Sequence, residues 1–142
     1  MIFKKKVCNF LIIQNDALSM YRFRSDLIER IKKDGNRVDA ISAYDDYYSP
    51  KIKEIVDNYY PMKIYRWINF LSDLKLAINF TIFLIFKRLK NRKYNIVHTI
   101  TAKPNLIMGP LARIVLGLDI RLVALISGLG SFIGPCLIGK DK

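Results

Sequence analysis

Residues Asn95 to Gly109, NIVHTITAKPNLIMG, constrain the fold more than any other stretch of the chain. Ile96-Val97-His98 opens as a strand, Thr99 to Lys103 forms a polar loop, and Pro104 and Asn105 begin a helix carrying Leu106, Met108 and Leu111. A strand that runs through a polar loop into a helix gathers backbone N–H groups and side-chain donors at one point. In a parallel α/β sheet that point lies beyond the carboxyl end of the strand, where ligands bind. Lys103 adds a positive charge there. The stretch reads as an anion-facing site, with phosphate the anion that suits it best.

The flanking sequence supplies the rest of such a sheet. Val7 to Gln14 is an apolar run suited to a strand buried on both faces, and Asn15 to Ser19 is a polar turn. Met20 to Asp34 has helical periodicity, with Phe23, Leu27, Ile28 and Ile31 as its apolar stripe and Gly35 as its C-terminal stop. Arg37 to Ser42 is a second strand. Tyr44 to Pro50 is a loop, Lys51 to Asn58 a short helix, and Met62 to Tyr65 a short third strand. Asp45 and Asp46 invite a metal or acid/base reading, but no third ligand is in view, and a solvated turn is the better reading.

Leu71 to Lys90 is the longest helix. Leu71, Leu74, Ile78, Ile82, Ile85 and Leu89 form a stripe expected to pack on the sheet. The opposite face is apolar too, with Leu76, Phe80, Phe83 and Leu84 beside Lys87, and the helix ends in Lys87, Arg88, Lys90, Arg92 and Lys93. That second face is either covered by the protein itself or set against a membrane or a second domain. Asp73, Lys75 and Asn79 interrupt the helix, so it is not a membrane span, which needs ~20 mainly apolar residues.

After the opening stretch, a helix from Asn105 to Leu116 ends at Gly117, and Ile120 to Ile126 forms a fifth strand. This strand runs into Ser127-Gly128-Leu129-Gly130, a glycine loop on the same edge of the sheet. The pattern fades after Phe132. The alternation predicts an α/β fold: a Rossmann-like parallel sheet of about five strands with helices on both faces. The loops after the first, fourth and fifth strands should converge at the switch point. They bring candidate binding residues Asn15, Asp16, Ser19, Thr99, Thr101, Lys103, Ser127, Gly128 and Gly130.

A length of 142 residues suits one domain, and Lys+Arg 24 against Asp+Glu 12 leaves a net charge of +12. That excess favours an acidic partner: nucleic acid, an anionic membrane surface or a phosphorylated ligand. The tyrosines and basic residues follow no recognisable nucleic-acid module, and nucleic acid is not the expected partner. Cys8 and Cys136 are far apart, and a single histidine leaves no metal-ligand spacing, so unpaired thiols, no metal and no cofactor are expected. Gly128-Leu129-Gly130 alone is a weak signal, and no GxGxxG follows the first strand, which argues against ordinary dinucleotide binding. His98 reads first as a satisfied strand-end histidine and second as a catalytic base. The basic start, Met1 to Lys6, leads into a short apolar run without a small-residue cleavage site, as a core strand does and a signal peptide does not.

Taken together, these motifs resemble one family. IIQNDALSMYRFRSDLIERIKKDGNRVDAIS looks like the start of glycosyltransferase family 4 proteins of the capsule and O-antigen type. IVHTITAKPNLIMGPLARIVLG is similar to their His-x-x-Thr-x-Lys-Pro-Asn segment, and LISGLGSF to their Gly-Leu-Gly loop. Phe23 and Arg24 fit the family pattern where Arg22 replaces its Asn. Arg66, Asn69, Asp73 and Leu74 fit another segment, with Phe70 in place of proline, and Ser127 replaces a Thr.

The resemblance implies the N-terminal half of a GT-B fold, with residues 1–132 as the acceptor-side domain and 133–142 as a tail. It further implies that the donor-binding C-terminal domain is missing, so that the chain is an N-terminal fragment, a truncated gene product, or one half of a split enzyme whose other half is a separate partner chain. The implied activity is transfer of a sugar from a nucleotide sugar to a lipid-linked or polysaccharide acceptor, such as a polyprenyl-diphosphate-linked sugar, in cell-surface polysaccharide biosynthesis. The place of action would be the cytoplasmic face of the cell membrane, held peripherally on anionic lipid. Arg24 and Asn105 join the acceptor and phosphate residues on this ground, and His98 is the candidate catalytic group. The competing reading is a non-catalytic Rossmann-like module that recruits a partner enzyme to the membrane.

Overall fold

The structure, a computed structural model, describes residues 6–126. Five strands, β1 (Asn9–Asp16), β2 (Arg37–Ala43), β3 (Asn58–Pro61), β4 (Ile96–Ile100) and β5 (Arg121–Leu125), form one sheet in the order β3-β2-β1-β4-β5. Every neighbouring pair is parallel. The connections are α1 (Ala17–Lys33), α2 (Tyr48–Ile55), α3 (Phe70–Leu89) and α4 (Gly109–Leu116), the last preceded by a π turn over Pro104–Met108. This is the expected Rossmann-like α/β sheet. Strand β1 is central because its Leu11, Ile12 and Ile13 are wholly buried, which requires cover on both faces.

The two faces carry separate cores. Leu11, Ile13, Ile41 and Val97 pack with Leu76, Phe80 and Leu84 of α3 and with Met108 and Ala112 near α4. Ile12, Val38, Ala40 and Ile100 pack with Ala17, Met20 and Ile28 of α1 and Ile52 of α2. Gly35, at φ +82°, ends α1 as expected from its freedom in the left-handed region.

Several local expectations are corrected. The turn expected over Asn15 to Ser19 does not exist: β1 runs to Asp16 and α1 starts at the next residue. Asp16 has extended backbone, and its carboxylate accepts from the Ser19 N–H at 2.7 Å, so one residue ends the strand and caps the helix. Pro50 lies in the first turn of α2 rather than in a loop, which suits its missing N–H and moves the helix forward to Tyr48. The third strand then falls on Asn58–Pro61 instead of Met62 to Tyr65, paired with Asp39 to Ser42 of β2. In β4, Thr99 and Ile100 belong to the strand, not to the loop after it.

The longest helix is turned over relative to expectation. Leu71, Leu74, Ile78, Ile82, Ile85 and Leu89 are exposed, whereas Leu76, Phe80, Leu84 and Lys87 are buried. The aromatic rings decide this. Phe83 lies 4.8 Å from the Tyr60 ring and 6.5 Å from Tyr94, and Phe80 stacks at 6.3 Å from Phe83, filling a space that aliphatic side chains would leave loose.

Lys87 enters the same face and finds its partners there. Its ammonium lies 3.5 Å from the buried Asp39 carboxylate and also donates to the Tyr60 hydroxyl. Tyr94 Oη donates to Asp39 at 2.6 Å and Asn58 Nδ2 at 2.9 Å, so the carboxylate is fully satisfied. Burial, then the bond to Asp39, push the Tyr94 phenol well above its usual range. Lys87 is therefore part of the core and not of the basic surface cluster. No described helix is long and apolar enough to cross a membrane.

Candidate functional site

The chain builds outward from β1 through β2 to β3, then returns to the other side of β1 to lay down β4 and β5. The reversal lies between β1 and β4, which pair with Ile13 opposite Thr99. In sheets of this kind the crossovers depart from two such strands on opposite sides, and ligands bind beyond their carboxyl ends. The residues that end β1 and β4, and those that begin α1 and the π turn, line this place.

Five side-chain atoms are buried without a hydrogen-bond partner among the described residues: Gln14 Oε1, Asn15 Oδ1, Arg24 Nε, Thr99 Oγ1 and Asn105 Oδ1. Native interiors satisfy most of their polar groups, so such atoms call for an explanation. Here all five belong to the segments that meet at the switch point. Asn15, Arg24, Thr99 and Asn105 are expected site residues. Gln14 was not expected; its signal is an amide at the end of an otherwise apolar strand, and it is only 3% exposed.

Arg24 owes its position to the helix repeat. The inward stripe of α1 is Ala17, Met20, Arg24, Ile28 and Ile31, while Phe23 and Leu27, expected to be inward, are exposed. Arg24 is half-buried there, and its Nη1 donates to Phe23 O at 3.4 Å while Nε is left without a partner among the described residues. The guanidinium acts on His98 of β4. Burial, opposed in part by a hydrogen bond to Val123 O and assisted by the Arg24 charge, lowers the His98 pKa from its ordinary 6.5. His98 Nδ1 lies 3.2 Å from Val123 O. A carbonyl only accepts, so Nδ1 carries the proton and Nε2 keeps a lone pair. A neutral imidazole fixed in one tautomer is suited to accept a proton.

The loop after β4 is strained and pinned. Thr101 has φ +76°, a rare backbone for a β-branched residue, and its hydroxyl turns back to Ile100 O. Its N–H donates to Leu125 O at 3.2 Å, and Asn105 Nδ2 donates to the same carbonyl at 2.9 Å. The π turn beginning at Pro104 adds a second irregularity, and such turns are frequent at functional sites.

Lys103 is placed differently from the free cation that its spacing suggests. It is 6% exposed, and its Nζ donates to Asp73 Oδ1 and to Trp67 O, each at 2.6 Å. Its charge is spent holding the start of α3 against the site loop. Ser19 is half-buried at the start of α1, and its N–H serves the Asp16 cap. Ser127, Gly128, Gly130, Cys136 and the tail lie outside the described residues. Asp45, of the acidic pair, has a local role: its Oδ1 accepts from Tyr47 N at 2.9 Å and Tyr48 N at 2.7 Å, starting α2.

No family model and no curated protein matches the chain. Solved structures do share its fold. A glycosyltransferase from Rickettsia africae ESF-5 superposes with a TM-score of 0.58 at 15% identity, over 90% of this chain and 34% of that one. The glycotransferase of kitacinnamycin gives 0.53 at 8% identity, over 92% and 34%. The C-terminal domain of PF1911 hydrogenase from Pyrococcus furiosus gives 0.55 at 10% identity, over 87% and 95%. The chain spans about a third of the length of either glycosyltransferase. Its fold is thus one that glycosyltransferases use, and that a hydrogenase domain uses as well.

Proposed function

We propose that this chain is the acceptor-side half of a GT-B glycosyltransferase of the family 4 type. The sugar passes from a nucleotide sugar to a lipid-linked or polysaccharide acceptor in cell-surface polysaccharide biosynthesis. The observation that carries the reading is the set of buried, unpartnered polar atoms on β1, α1, β4 and the π turn, the elements that meet at the switch point. Fold likeness alone does not select a function. A sugar hydroxyl donates and accepts at once, and this set offers amide and hydroxyl oxygens as acceptors and a guanidinium as donor.

The roles follow from the chemistry of each group. Asn15, Thr99 and Asn105 orient the acceptor sugar, with Gln14 beside them. Arg24 meets an anionic oxygen of its diphosphate carrier. His98 Nε2 takes the proton of the attacking hydroxyl as its oxygen bonds to the anomeric carbon and the nucleoside diphosphate leaves. Lys103 and Asp73 position the loop rather than touch substrate. Ser127, Gly128 and Gly130 would add backbone donors. Holding the nucleotide sugar requires a donor-binding unit beyond these residues, so the 142-residue chain alone binds the acceptor but does not turn over.

The test is calorimetric titration of the chain with a short-prenyl diphosphate-linked sugar and, separately, with a panel of nucleotide sugars, followed by a transfer assay with both. Acceptor binding that weakens about tenfold or more in Arg24→Gln and Asn105→Ala, as expected for loss of a charge-assisted or buried hydrogen bond, supports the reading. Absence of acceptor binding overturns it, and turnover by this chain alone overturns the division of labour.

A further inference from the structure

We propose that the outer face of α3, together with the groove between α3 and α4, docks on an anionic lipid bilayer with the helix lying in the membrane plane. This inference does not rest on the transfer reading. It starts from the exposed stripe of Leu71, Leu74, Ile78, Ile82, Ile85 and Leu89, all between 45% and 76% exposed. The stripe follows a helix of 20 residues, about 30 Å long. Just before it, Trp67, Ile68 and Phe70 are 80%, 91% and 79% exposed. A contiguous apolar surface of this extent marks an interaction site on a soluble domain.

Charge selects the occupant. From Leu74 to Leu118 the chain has no carboxylate, while Lys75, Arg88, Lys90, Arg92, Lys93 and Arg113 are cations outside the buried pairs. A groove of about 620 Å³ beside the last turn of α3 is lined by Ile85, Leu89, Ile114 and Val115 and by Arg88 and Lys93. Apolar rows flanked by uncompensated cations match acyl chains beneath a layer of phosphate. A second copy of this chain would set the same cations against themselves.

A domain closing over the candidate site would cover little of this face. The first turn of α3 adjoins the site through Asp73 and Lys103, but the last turn reaches Asp39 and Tyr60 through Lys87, away from the switch point. A bilayer contacts the whole length. The exposed tryptophan at the start of the stripe suits the interface between headgroups and chains.

Trp67 is the chain's one tryptophan and therefore an intrinsic reporter. The experiment mixes the full chain with phosphatidylcholine vesicles, with and without phosphatidylglycerol. It follows flotation, Trp67 emission and quenching by brominated lipid across a salt series. The expected result is binding to the anionic vesicles, with a blue shift and quenching of Trp67. Ile82→Asp and the double variant Lys90→Glu/Lys93→Glu should each weaken it at least tenfold. All three positions are exposed, and circular dichroism verifies that the variants fold; Phe23→Ser, on α1, is the unaffected control. No anionic-vesicle binding, binding indifferent to these variants, or self-association in place of vesicle binding overturns the proposal.

Discussion

Lys103 Nζ lies 2.6 Å from Asp73 Oδ1, joining the loop after β4 to the first turn of α3 across 30 residues of sequence. Asp73 in turn accepts from the Asn69 N–H at 3.1 Å, and Asn69 caps the helix. The pair therefore fixes where α3 begins relative to the candidate site. Removing the lysine strands a largely buried carboxylate, so Lys103→Met should lower unfolding stability by ~3 kcal/mol. Adding Asp73→Leu should recover most of that loss, because the cost lies in the unpaired charge. Urea denaturation midpoints of the single and double variants check it.

The inverted packing of α3 gives a sharp contrast between neighbours. Phe80 is wholly buried among Leu11, Ile41 and Val97, and Phe80→Ala should cost ~3–5 kcal/mol. Ile82, two residues on, faces outward, and Ile82→Ser should change stability by no more than ~0.5 kcal/mol. Equal losses at both positions, measured by chemical denaturation, would put the outward stripe back in the core.

The parallel α/β sheet of five strands and most element positions were legible because buried parallel strands and intervening helices write distinct periods into the chain. The face of α3 was not, since Leu71-Leu74-Ile78-Ile82 and Leu76-Phe80-Phe83-Leu84 have the same helical spacing. What separates them is the fit of Phe83 to Tyr60 and Tyr94 and of Lys87 to Asp39, contacts made across long stretches of sequence. The same holds at the candidate site. Asn15, Thr99 and Asn105 stood out as polar residues at strand and helix ends. The engagement of Lys103 with Asp73 depends on a helix that starts 30 residues earlier. Arg24 was not legible from the helix pattern, which set Phe23 and Leu27 inward and Arg24 outside the stripe; only the resemblance singled it out, and its position follows from Met20 and Ile28 being the buried residues of α1.

Thr101 tests whether the site loop stores strain. A left-handed backbone at a β-branched residue costs of order 1–3 kcal/mol, and glycine adopts it without a Cβ clash. Thr101→Gly should therefore raise stability, or at least leave it unchanged, although glycine elsewhere in an ordered segment is destabilising. Thermal and urea unfolding of this variant would show it. A clear loss of stability would mean that the hydroxyl contact with Ile100 O outweighs the backbone strain.

His98 predicts a specific dependence of stability on pH. Burial and the nearby Arg24 charge hold its folded-state pKa below 6.5, while the unfolded chain titrates near that ordinary value. Between the two values the unfolded state binds more protons than the folded state, so stability rises with pH across this window. The contribution is fully present above about pH 6.5 and is lost progressively as pH falls toward the folded pKa. His98→Gln removes the titrating group and should flatten this part of the profile. Arg24→Gln should shrink the effect without abolishing it, because burial is the larger cause and the arginine charge the smaller. Urea midpoints measured between pH 5 and pH 8 for the three proteins separate these cases. Nitrogen chemical shifts of the imidazole supply the second readout, with Nδ1 protonated and Nε2 bare at neutral pH. A wild-type profile that matches His98→Gln throughout would mean that His98 is solvated, and it would lose its candidacy as the proton acceptor.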